Sequence, residues 1–381
     1  MSRYCTTMHI VHVVPGMDRP WSGTLTVIVH LTSALSRLGH DVEVWHRADW
    51  NHSDFEAHVK LLADAGTKRI DFGSFTELRR AAANAGAGHS AESIDVVHLH
   101  GAFNPTNTIV ARALKAPYVF SPHSGYDPVS LRRSRAKKGA FGVLLERPMI
   151  RRAALVVALT EQEREQVTTY CETPRCVVIP NGASGPPQVD DTEFRKSLGL
   201  DSRDRLALYV GRLDVERKGL DLLMLGIEKA PSWHLALVGP DERDGLRRIR
   251  AEIASRRLGR RVHLCPPRFA LRLHEALAAS DVFALMSRWE GMPMALIEAL
   301  SHGKPALVGP AVERCVPVRE SGAGWVASSP DEIGCMLETF ANLDASGREG
   351  MARAAENLAA RYEWPTIARR YEEAYASITV S

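Results

Sequence analysis

The stretch His9–Trp45 reads HIVHVVPGMDRPWSGTLTVIVHLTSALSRLGHDVEVW, and it contains one complete strand–helix–strand unit. The apolar run His9–Val14 predicts a buried strand, and the apolar residues of Thr24–Leu38 recur at helical spacing. Gly39 follows as a C-cap, and Asp41–Trp45 predicts the next strand. Two strands joined by a crossover helix pair in parallel, so this unit begins a sheet that helices cover.

The same alternation continues along the chain and then restarts, which predicts an α/β protein with two doubly wound, Rossmann-like domains. We expect an N-terminal domain over 1–183, a Pro/Gly-rich linker over 184–200 and a C-terminal domain over 201–361. A last helix, over 362–381, is expected to pack back on the first domain. Two such domains facing each other would form a cleft, with the carboxyl ends of the strands pointing into it. The further predicted strands are Ile94–His100, Tyr118–Ser121, Leu155–Leu159, Cys176–Ile179, Leu206–Val210, His234–Val238, Val262–Cys265, Val282–Leu285 and Ala306–Val308.

Composition excludes several protein classes. The chain has 381 residues, of which 45% are hydrophobic and 24% charged, so disorder, a collagen-like repeat and a disulfide scaffold are excluded. Forty-eight Lys+Arg minus 45 Asp+Glu leaves +3, an excess too small to predict nucleic-acid binding. The six cysteines form no C-x-x-C pair, and we expect reduced thiols. No apolar stretch approaches the ~20 residues of a membrane span, and the N-terminus lacks a signal-peptide pattern, so we predict a cytoplasmic protein.

The segment Arg288–Glu298, RWEGMPMALIE, predicts a phosphate site. Pro293 suits the first turn of a helix, where its missing N–H costs nothing, and Gly291 allows the backbone to approach a ligand closely. The free N–H groups near Met292 and Met294, at the positive end of the helix, would bind the phosphate.

Two carboxylates of the same segment could bind the sugars of a nucleotide. Glu298 lies more than one turn into the helix and could accept hydrogen bonds from the two hydroxyls of a ribose. Glu290, in the preceding loop, could reach a sugar attached to the phosphate. The alternative is an ordinary helix whose acidic residues the macrodipole stabilises by about 0.3–1 kcal/mol.

A second segment supplies cations. Gly211-Arg212-Leu213 follows a predicted strand, and Lys218 precedes the next helix, so both cations lie at the carboxyl end of the sheet. There they would bind a diphosphate, each charge-assisted bond contributing about 1.5–3 kcal/mol. The alternative is a pair of solvated charges.

In combination, these two segments resemble family 4 of the retaining glycosyltransferases, which have the GT-B fold. Glu290 and Glu298 form an E-x7-E pattern, and the G-R-L and K-G motifs precede it. In the first half, Ser121-Pro122-His123-Ser124-Gly125 and Ile179-Pro180-Asn181-Gly182 are similar to motifs of that family. The resemblance covers nearly the whole chain.

The resemblance implies a role for each matching residue. Arg212 and Lys218 would bind the donor diphosphate, Glu298 the ribose, and Glu290 with the following amides the donor sugar. The remaining donor-binding candidates are Gly16, Gly23, Gly211, Gly291, Met292, Pro293, Met294 and Arg268. Three features depart from the family pattern: Arg212 and Lys218 are one residue further apart, the N-terminal glycine loop is reduced, and Pro266-Pro267-Arg268 replaces a more usual glycine.

His123 would lie near the reacting sugar, where it could bind a hydroxyl or assist a proton transfer. The alternative is a structural histidine. His98 and His100 would face the same side of a strand and could form a pair of metal ligands, but no third ligand is evident from the sequence. The resemblance implies no essential metal, and we expect no cofactor besides the nucleotide-sugar substrate.

Three functions remain open. The first is a retaining hexosyltransferase that uses a nucleotide sugar and a glycan, a lipid-linked or a small-molecule acceptor. The second is a sugar-nucleotide epimerase or a hydrolase of the same fold, and the third is a non-catalytic nucleotide-sugar-binding or membrane-associated scaffold. The intact set of cations and carboxylates argues against the scaffold. Pro15-Gly16-Met17-Asp18 lacks the G-x-G-x-x-G pattern of a dehydrogenase.

A basic run in the first half indicates a possible peripheral contact with the inner membrane face. Family members that act on lipid-linked acceptors often carry such a patch. The alternative is a solvated helix face. The run consists of Arg132, Arg133, Arg135, Lys137 and Lys138.

Overall fold

A computed structural model of the chain describes residues 7–14, 23–47, 55–85, 93–128, 131, 135–172 and 175–379. The chain forms two compact units. The first consists of Met1–Gly182 with Trp364–Ser381, and the second consists of Ala183–Glu363. The chain thus leaves the first unit after residue 182 and returns to it at residue 364, where the C-terminal helix (Trp364–Thr379) begins.

The first unit contains a seven-stranded parallel sheet. Its strands are β1 (His9–Val14), β2 (Asp41–His46), β3 (Lys68–Asp71), β4 (Val96–His100), β5 (Tyr118–Ser121), β6 (Leu155–Ala158) and β7 (Cys176–Val178). Their order is β3-β2-β1-β4-β5-β6-β7, so the winding direction reverses between β1 and β4. In doubly wound sheets, ligands bind beyond the carboxyl ends of the strands at this reversal.

Helices cover this sheet. They are α1 (Gly23–Arg37), α2 (Glu56–Asp64), α3 (Phe75–Asn84), α4 (Pro105–Ala113), α5 (Arg135–Phe141), α6 (Arg147–Arg152) and α7 (Glu161–Tyr170), and a π-helical turn (Gly142–Glu146) joins α5 to α6. In α1 the apolar residues Leu25, Ile28 and Leu35 are buried at helical spacing. The C-terminal helix packs against α1, where the Trp364 ring stacks on His30 with centroids 5.7 Å apart.

The second unit contains a six-stranded parallel sheet. Its strands are β8 (Arg205–Val210), β9 (Trp233–Val238), β10 (Val262–Cys265), β11 (Val282–Leu285), β12 (Ala306–Val308) and β13 (Gly324–Val326). Their order is β10-β9-β8-β11-β12-β13, so the reversal lies between β8 and β11. The central strands are buried on both faces, as in other parallel sheets covered by helices.

The predicted linker over 184–200 belongs to the second unit and includes a helix. Phe194 of that helix is 1% exposed and lies in the core, so its burial outweighs the polar, Pro/Gly-rich composition that suggested a linker. The helices of this unit are α8 (Thr192–Ser197), α9 (Val215–Lys218), α10 (Leu220–Lys229), α11 (Gly245–Ser255), α12 (Leu271–Ala279), α13 (Met294–Ser301), α14 (Pro310–Glu313), α15 (Pro330–Ala341) and α16 (Ala345–Ala360).

Candidate functional site

The reversal between β8 and β11 brings together the two segments that the sequence singled out in the second unit. Arg212 follows the end of β8, and Lys218 is the last residue of α9. Glu290 follows the end of β11, and β8 and β11 are neighbours in the sheet. Segments that are far apart in the sequence therefore lie together at the carboxyl ends of neighbouring strands in one sheet.

Lys218 and Glu290 form an ion pair. Lys218 Nζ donates to Glu290 Oε1, and the Ser287 hydroxyl donates to the same oxygen over 2.6 Å. The two charged side chains are only 13% and 7% exposed. Removing only one side chain of such a buried Lys–Glu pair lowers the stability of the protein, because the remaining charge would lack an oppositely charged partner. The structure thus joins two residues that the sequence predicts to bind different parts of the donor.

Gly219 places the Lys218 backbone against the end of β11. Its φ is +64°, in the left-handed region, and a Cβ atom there would collide with the carbonyl oxygen of Met286. Only glycine combines this conformation with so close an approach. The K-G motif therefore has a steric reason in this chain.

Arg212 is more accessible than Lys218. Its side chain is 48% exposed and forms a 3.5 Å ion pair with Glu242. Surface pairs of this kind contribute about 0–1 kcal/mol, so Arg212 can exchange Glu242 for an anionic ligand at little cost. Gly211 precedes it with a φ of +154°.

The helix α13 begins at this edge without a side-chain cap. Pro293 is its N-cap residue and Met294 its first residue. The first N–H groups of a helix have no carbonyl partner within it, so they are available to an anion. Gly291 and Met292, in the loop before the helix, are half-buried. The predicted phosphate-binding element is thus a helix N-terminus, although Pro293 lies one position earlier than expected.

Glu298 lies on α13, one turn after the first residue of the helix. Its carboxylate forms no hydrogen bond and no ion pair with any residue that the structure describes, and burial raises its pKa to about 7. A half-buried carboxylate without a partner is a costly feature that a ligand with hydroxyl groups would relieve.

Two arginines that the sequence did not single out hold the loop before α13. The Arg288 guanidinium donates to both carboxylate oxygens of Asp221, at 2.8 and 2.6 Å. The Arg217 guanidinium lies 3.7 Å from the centroid of the Trp289 ring. In the sequence Arg217 stands next to Lys218, and Arg288 next to Trp289, so both arginines neighbour the predicted site. Only the fold shows that they hold the loop before α13.

Arg268 has an intramolecular role. Its guanidinium lies 4.5 Å from the centroid of the buried Phe194 ring and pairs with Glu275 at 3.6 Å. The predicted contact of Arg268 with the nucleotide remains a prediction.

His123 lies in a loop beyond β5 in the first unit, and backbone strain marks this loop and the one beyond β4. In these two loops three non-glycine residues have positive φ: Phe103 (55°), His123 (49°) and Ser124 (61°). Such strain persists only where the surroundings enforce it, and it concentrates at functional sites.

Buried carboxylates hold both strained loops. The backbone N–H of Ser124 donates to Glu163, and that of Phe103 donates to Glu146 over 2.8 Å. Both carboxyl groups are buried, and burial raises the pKa of each. Neither glutamate was predicted, because nothing local distinguishes it from a surface residue of a helix.

The histidines of β1 and β4 form a buried group behind His123. His98 and His100 do lie together, as predicted, and β1 places His12 beside them. One ring nitrogen of each of these three histidines lies within 4.8 Å of the others. The sequence showed no third ligand, because the partner strand is 86 residues away from His98 and only the sheet brings it close. The expectation that no metal is needed stays a prediction.

Several predicted residues have little structural context. Gly16, Arg132 and Arg133 lie outside the described residues, and for Arg135 the structure describes only the backbone. Gly23 begins α1 at the surface, with open space around its Cα. Its predicted role therefore has no steric support.

Lys137 is exposed on α5, and Lys138 lies over the Phe103 ring with its Nζ 4.7 Å from the centroid. In the following π-helical turn, Val143 and Leu144 are 60% and 68% exposed. None of the helices in the described part of the chain is long and apolar enough to cross a membrane.

Two family models match the chain. The model of the Glycosyl transferase 4-like domain matches residues 22–182, and that of Glycosyl transferases group 1 matches residues 190–343. The chain is 27% identical over 295 residues to the GDP-mannose:cellobiosyl-diphosphopolyprenol alpha-mannosyltransferase of Xanthomonas campestris, with 74% of each chain covered. It is 25% identical over 388 residues to the D-inositol 3-phosphate glycosyltransferase of Segniliparus rotundus, with 92% of this chain and 85% of the relative covered.

Solved structures share the fold. Anabaena HepE in complex with UDP has a TM-score of 0.77 at 18% identity, with 97% of this chain and 100% of that chain covered. The sucrose-phosphate synthase of Thermosynechococcus elongatus has a TM-score of 0.72 at 18% identity, with 97% and 99% covered. At such identities the similarity concerns the fold alone.

Proposed function

This chain is a glycosyltransferase of group 1 in family 4, with the GT-B fold, and from that identity we propose that it is a retaining hexosyltransferase. Its donor is a nucleoside-diphosphate sugar. One observation carries this proposal: Arg212, Lys218 and the uncapped start of α13 all follow strands that are neighbours at the sheet reversal. Anabaena HepE has been solved with UDP, which supports a nucleotide as part of the ligand.

The reaction exchanges one bond to the anomeric carbon for another. The bond from that carbon to the diphosphate oxygen breaks, and a bond to the acceptor oxygen forms. The acceptor proton leaves on the departing phosphate, as in front-face attack with retention. Negative charge grows on the diphosphate, and pre-placed cations and backbone N–H groups stabilise it without solvent rearrangement.

The Lys218–Glu290 pair changes partners when the donor binds. Lys218 turns to the diphosphate, which releases the Glu290 carboxylate for a hydroxyl of the donor sugar. After this exchange Lys218 faces an anion and Glu290 a hydrogen-bond donor, so neither charged group is left without a polar partner. Glu298 holds the ribose hydroxyls, and no metal is required, because the cations already neutralise the leaving group.

His123 is proposed to bind a sugar hydroxyl, as the family resemblance implies, through the ring nitrogen that His100 does not hold. Burial lowers its pKa to about 4, so the ring is neutral at physiological pH. A neutral imidazole can hydrogen-bond a sugar hydroxyl without adding charge next to the developing positive charge of the sugar.

The acceptor is proposed to be lipid-linked, and the protein to bind the inner membrane face from the cytoplasm. The Xanthomonas relative carries a polyprenol-linked acceptor in its name, which supports this class. In this chain the basic run ends in Lys137 and Lys138, and Val143 and Leu144 follow at the surface. Adjacent basic and exposed apolar residues are typical of segments that bind anionic membrane surfaces.

Cosedimentation with vesicles tests this contact. The parent should bind vesicles containing anionic lipid and not neutral ones, and Val143→Ser combined with Leu144→Ser should weaken binding at least tenfold. As a matched control, Phe269→Ser combined with Leu271→Ser changes exposed apolar residues of the second unit and should leave binding intact. If the parent protein does not bind vesicles that contain anionic lipid, the proposed membrane contact is refuted.

A donor screen tests the enzymatic proposal. Thermal unfolding with UDP-, GDP-, ADP- and TDP-sugars should identify one donor that stabilises the chain, because a ligand that binds the folded state raises the unfolding temperature. Analysis of the product with that donor should show the donor's anomeric configuration. An inverted product, free sugar alone or an epimerised nucleotide sugar would contradict the proposal and distinguish an inverting transferase, a hydrolase and an epimerase.

A further inference from the structure

A chain of three histidines connects the His123 loop to the interior of the first unit. His123 Nε2 is hydrogen-bonded to His100 Nδ1 at 2.9 Å, and His100 Nε2 is hydrogen-bonded to His12 Nδ1 at 2.9 Å. His12 Nε2, at the inner end, is buried and has no hydrogen-bond partner among the residues that the structure describes. The row of three histidines therefore ends at a buried ring nitrogen of His12 on one side and at the half-buried His123 on the other.

The three rings are neutral, because burial lowers the pKa of all three. A neutral imidazole has one N–H and one lone pair. Both nitrogens of His100 are engaged, so choosing the tautomer of one ring sets the tautomers of the other two. Only two arrangements of protons satisfy both hydrogen bonds.

The two arrangements differ at the closed end. If His123 donates inward, His12 is left with a buried N–H that has no acceptor. If His12 donates outward, it is left with a buried lone pair. Buried N–H groups without an acceptor are the rarer of the two in folded proteins. The outward arrangement is therefore favoured, and in it His123 carries its proton on Nδ1.

We propose that His100, supported by His12, is a positioning residue that fixes His123 in the Nδ1–H tautomer. His123 then presents its Nδ1–H as a hydrogen-bond donor to a sugar oxygen. The functional part of this inference rests on the proposed function. The tautomer itself depends only on the geometry of the first unit.

The neighbouring residues argue against two other uses of the cluster. His98 is hydrogen-bonded at both nitrogens, to Tyr375 of the C-terminal helix at 2.7 Å and to Ser121 at 2.8 Å. A metal bound by His12, His98 and His100 would have to replace one of these hydrogen bonds. The row of rings ends at a buried nitrogen of His12, which does not favour a proton-conducting path.

The tautomer can be measured directly. Nitrogen-15 NMR of the full chain with labelled histidine distinguishes a protonated from an unprotonated ring nitrogen, and His123→Gln identifies the His123 signals. We expect a protonated Nδ1 in the parent. Protonation of His123 on Nε2 in the parent would overturn the proposal, as would one equivalent of tightly bound metal in the purified protein.

Two substitutions of His100 separate positioning from packing. His100→Asn places an amide where Nδ1 was, so its N–H can still donate to His123. His100→Leu removes both hydrogen bonds. We expect His100→Asn to keep the Nδ1–H tautomer and a kcat within threefold of the parent. His100→Leu should lose the single tautomer and about tenfold in kcat, with donor affinity changed less than twofold. Equal effects of the two variants on tautomer and kcat would overturn the proposal.

Two further proteins complete the test. His12→Leu makes His100 Nε2 the buried nitrogen without a partner, so the same rule predicts that His100 still donates from Nδ1 and that His123 keeps the Nδ1–H tautomer. If His100→Leu does not fold, protonation of His123 on Nε2 in the His12→Leu variant would overturn the proposal. His58→Gln is the matched control. His58 is a partly buried histidine of the same unit, and it contacts Thr26 rather than the three hydrogen-bonded histidines. A parent that transfers sugar from no donor would refute the proposed function, whereas the NMR measurement would still decide the tautomer.

Discussion

The Lys218 ammonium and the Glu290 carboxylate, 72 residues apart in the chain, form a largely buried ion pair at the edge of the second sheet. In the proposed reaction the diphosphate takes the cation and the donor sugar takes the carboxylate. The pair would then hold both side chains in place until the donor separates them.

Removing either predicted phosphate-binding cation should abolish transfer, but only one of the two changes should affect stability. Arg212→Ala and Lys218→Ala should each lower kcat by about 10²–10³, because each removes a charge that stabilises the leaving group. Lys218→Ala leaves Glu290 buried without its partner and should lower the free energy of unfolding by about 1–3 kcal/mol. Arg212→Ala removes only a surface pair and should lower it by less than about 1 kcal/mol.

Activity assays and urea unfolding measure these effects. Lys229→Ala serves as control, because Lys229 pairs with Asp331 at the surface of the same unit. Full activity in either purified test variant would remove that residue from the leaving-group site.

Glu298→Gln should stabilise the protein at high pH. Burial raises the pKa of the folded-state carboxyl to about 7 from 4.5, so folding favours the protonated form, and the stability it contributes is lost as the pH rises between these values. Glutamine resembles the protonated acid. Its advantage in the free energy of unfolding should therefore grow by on the order of 1–2 kcal/mol from pH 5 to pH 8. A constant difference across this range, in urea unfolding, would show that the carboxyl is not perturbed.

The same substitution should weaken donor binding. An ionised carboxylate accepts hydrogen bonds from two ribose hydroxyls better than an amide does, so we expect about a tenfold higher Kd for the donor at pH 8. For the parent, donor affinity should also rise from pH 6 to pH 8 as Glu298 ionises, whereas the variant should lack this part of the pH dependence. Calorimetry with donor measures both, and an unchanged Kd would refute the ribose contact.

Glu163→Gln should loosen the loop that carries His123. Glu163 Oε2 accepts from the Leu159 N–H at 2.6 Å and its other oxygen from Ser124, and an amide can satisfy only one of these donors. We expect a loss of about 1–3 kcal/mol and faster hydrogen exchange at residues 123–126. Glu165→Gln is the control, because Glu165 is exposed on the same helix. If exchange in the loop were equally slow in both variants, Glu163 would not restrain it.

Gly219→Ala should damage the second unit more than Gly199→Ala. Both glycines have positive φ, of 64° and 70°, so both substitutions introduce about 1–2 kcal/mol of backbone strain. Only at Gly219 would the new methyl collide with a backbone carbonyl, whereas the space around Gly199 is open. Thermal unfolding should show the larger loss for Gly219→Ala, together with loss of activity. Equal unfolding temperatures would mean that α9 can shift freely.

Much of the fold was predictable from local pattern. The predicted bounds of β1, β5, β10, β11 and β12 are those of the structure, because buried parallel strands are continuous apolar runs. Two strands were missed. Lys68–Asp71 is a polar edge strand without an apolar run, and Gly324–Val326 has only three residues, with a glycine among them. Both lie at sheet edges, where burial imposes little pattern on the sequence.

The site was predictable to a lesser degree. The positions of Arg212, Lys218, Glu290 and Glu298 at the carboxyl edge of a sheet followed from their distance to apolar runs. The acidic residues that contact Arg212 and restrain the loops did not follow from the sequence. Glu242, Glu163 and Asp221 are ordinary acidic residues of loops and helices in the sequence, and their roles appear only when the elements they belong to are packed.

The hydrophobic periodicity and the turn residues alone therefore determined that this chain forms two parallel β-sheets covered by helices. They also determined which segments follow the strands. These features act over a few residues, so they can be read without knowing the fold. Strand order was decided by tertiary structure, and with it the contact of His12 with His100, 88 residues away, and of Lys218 with Glu290. Such contacts depend on which strands become neighbours, and that choice is made by the packing of whole helices and sheets.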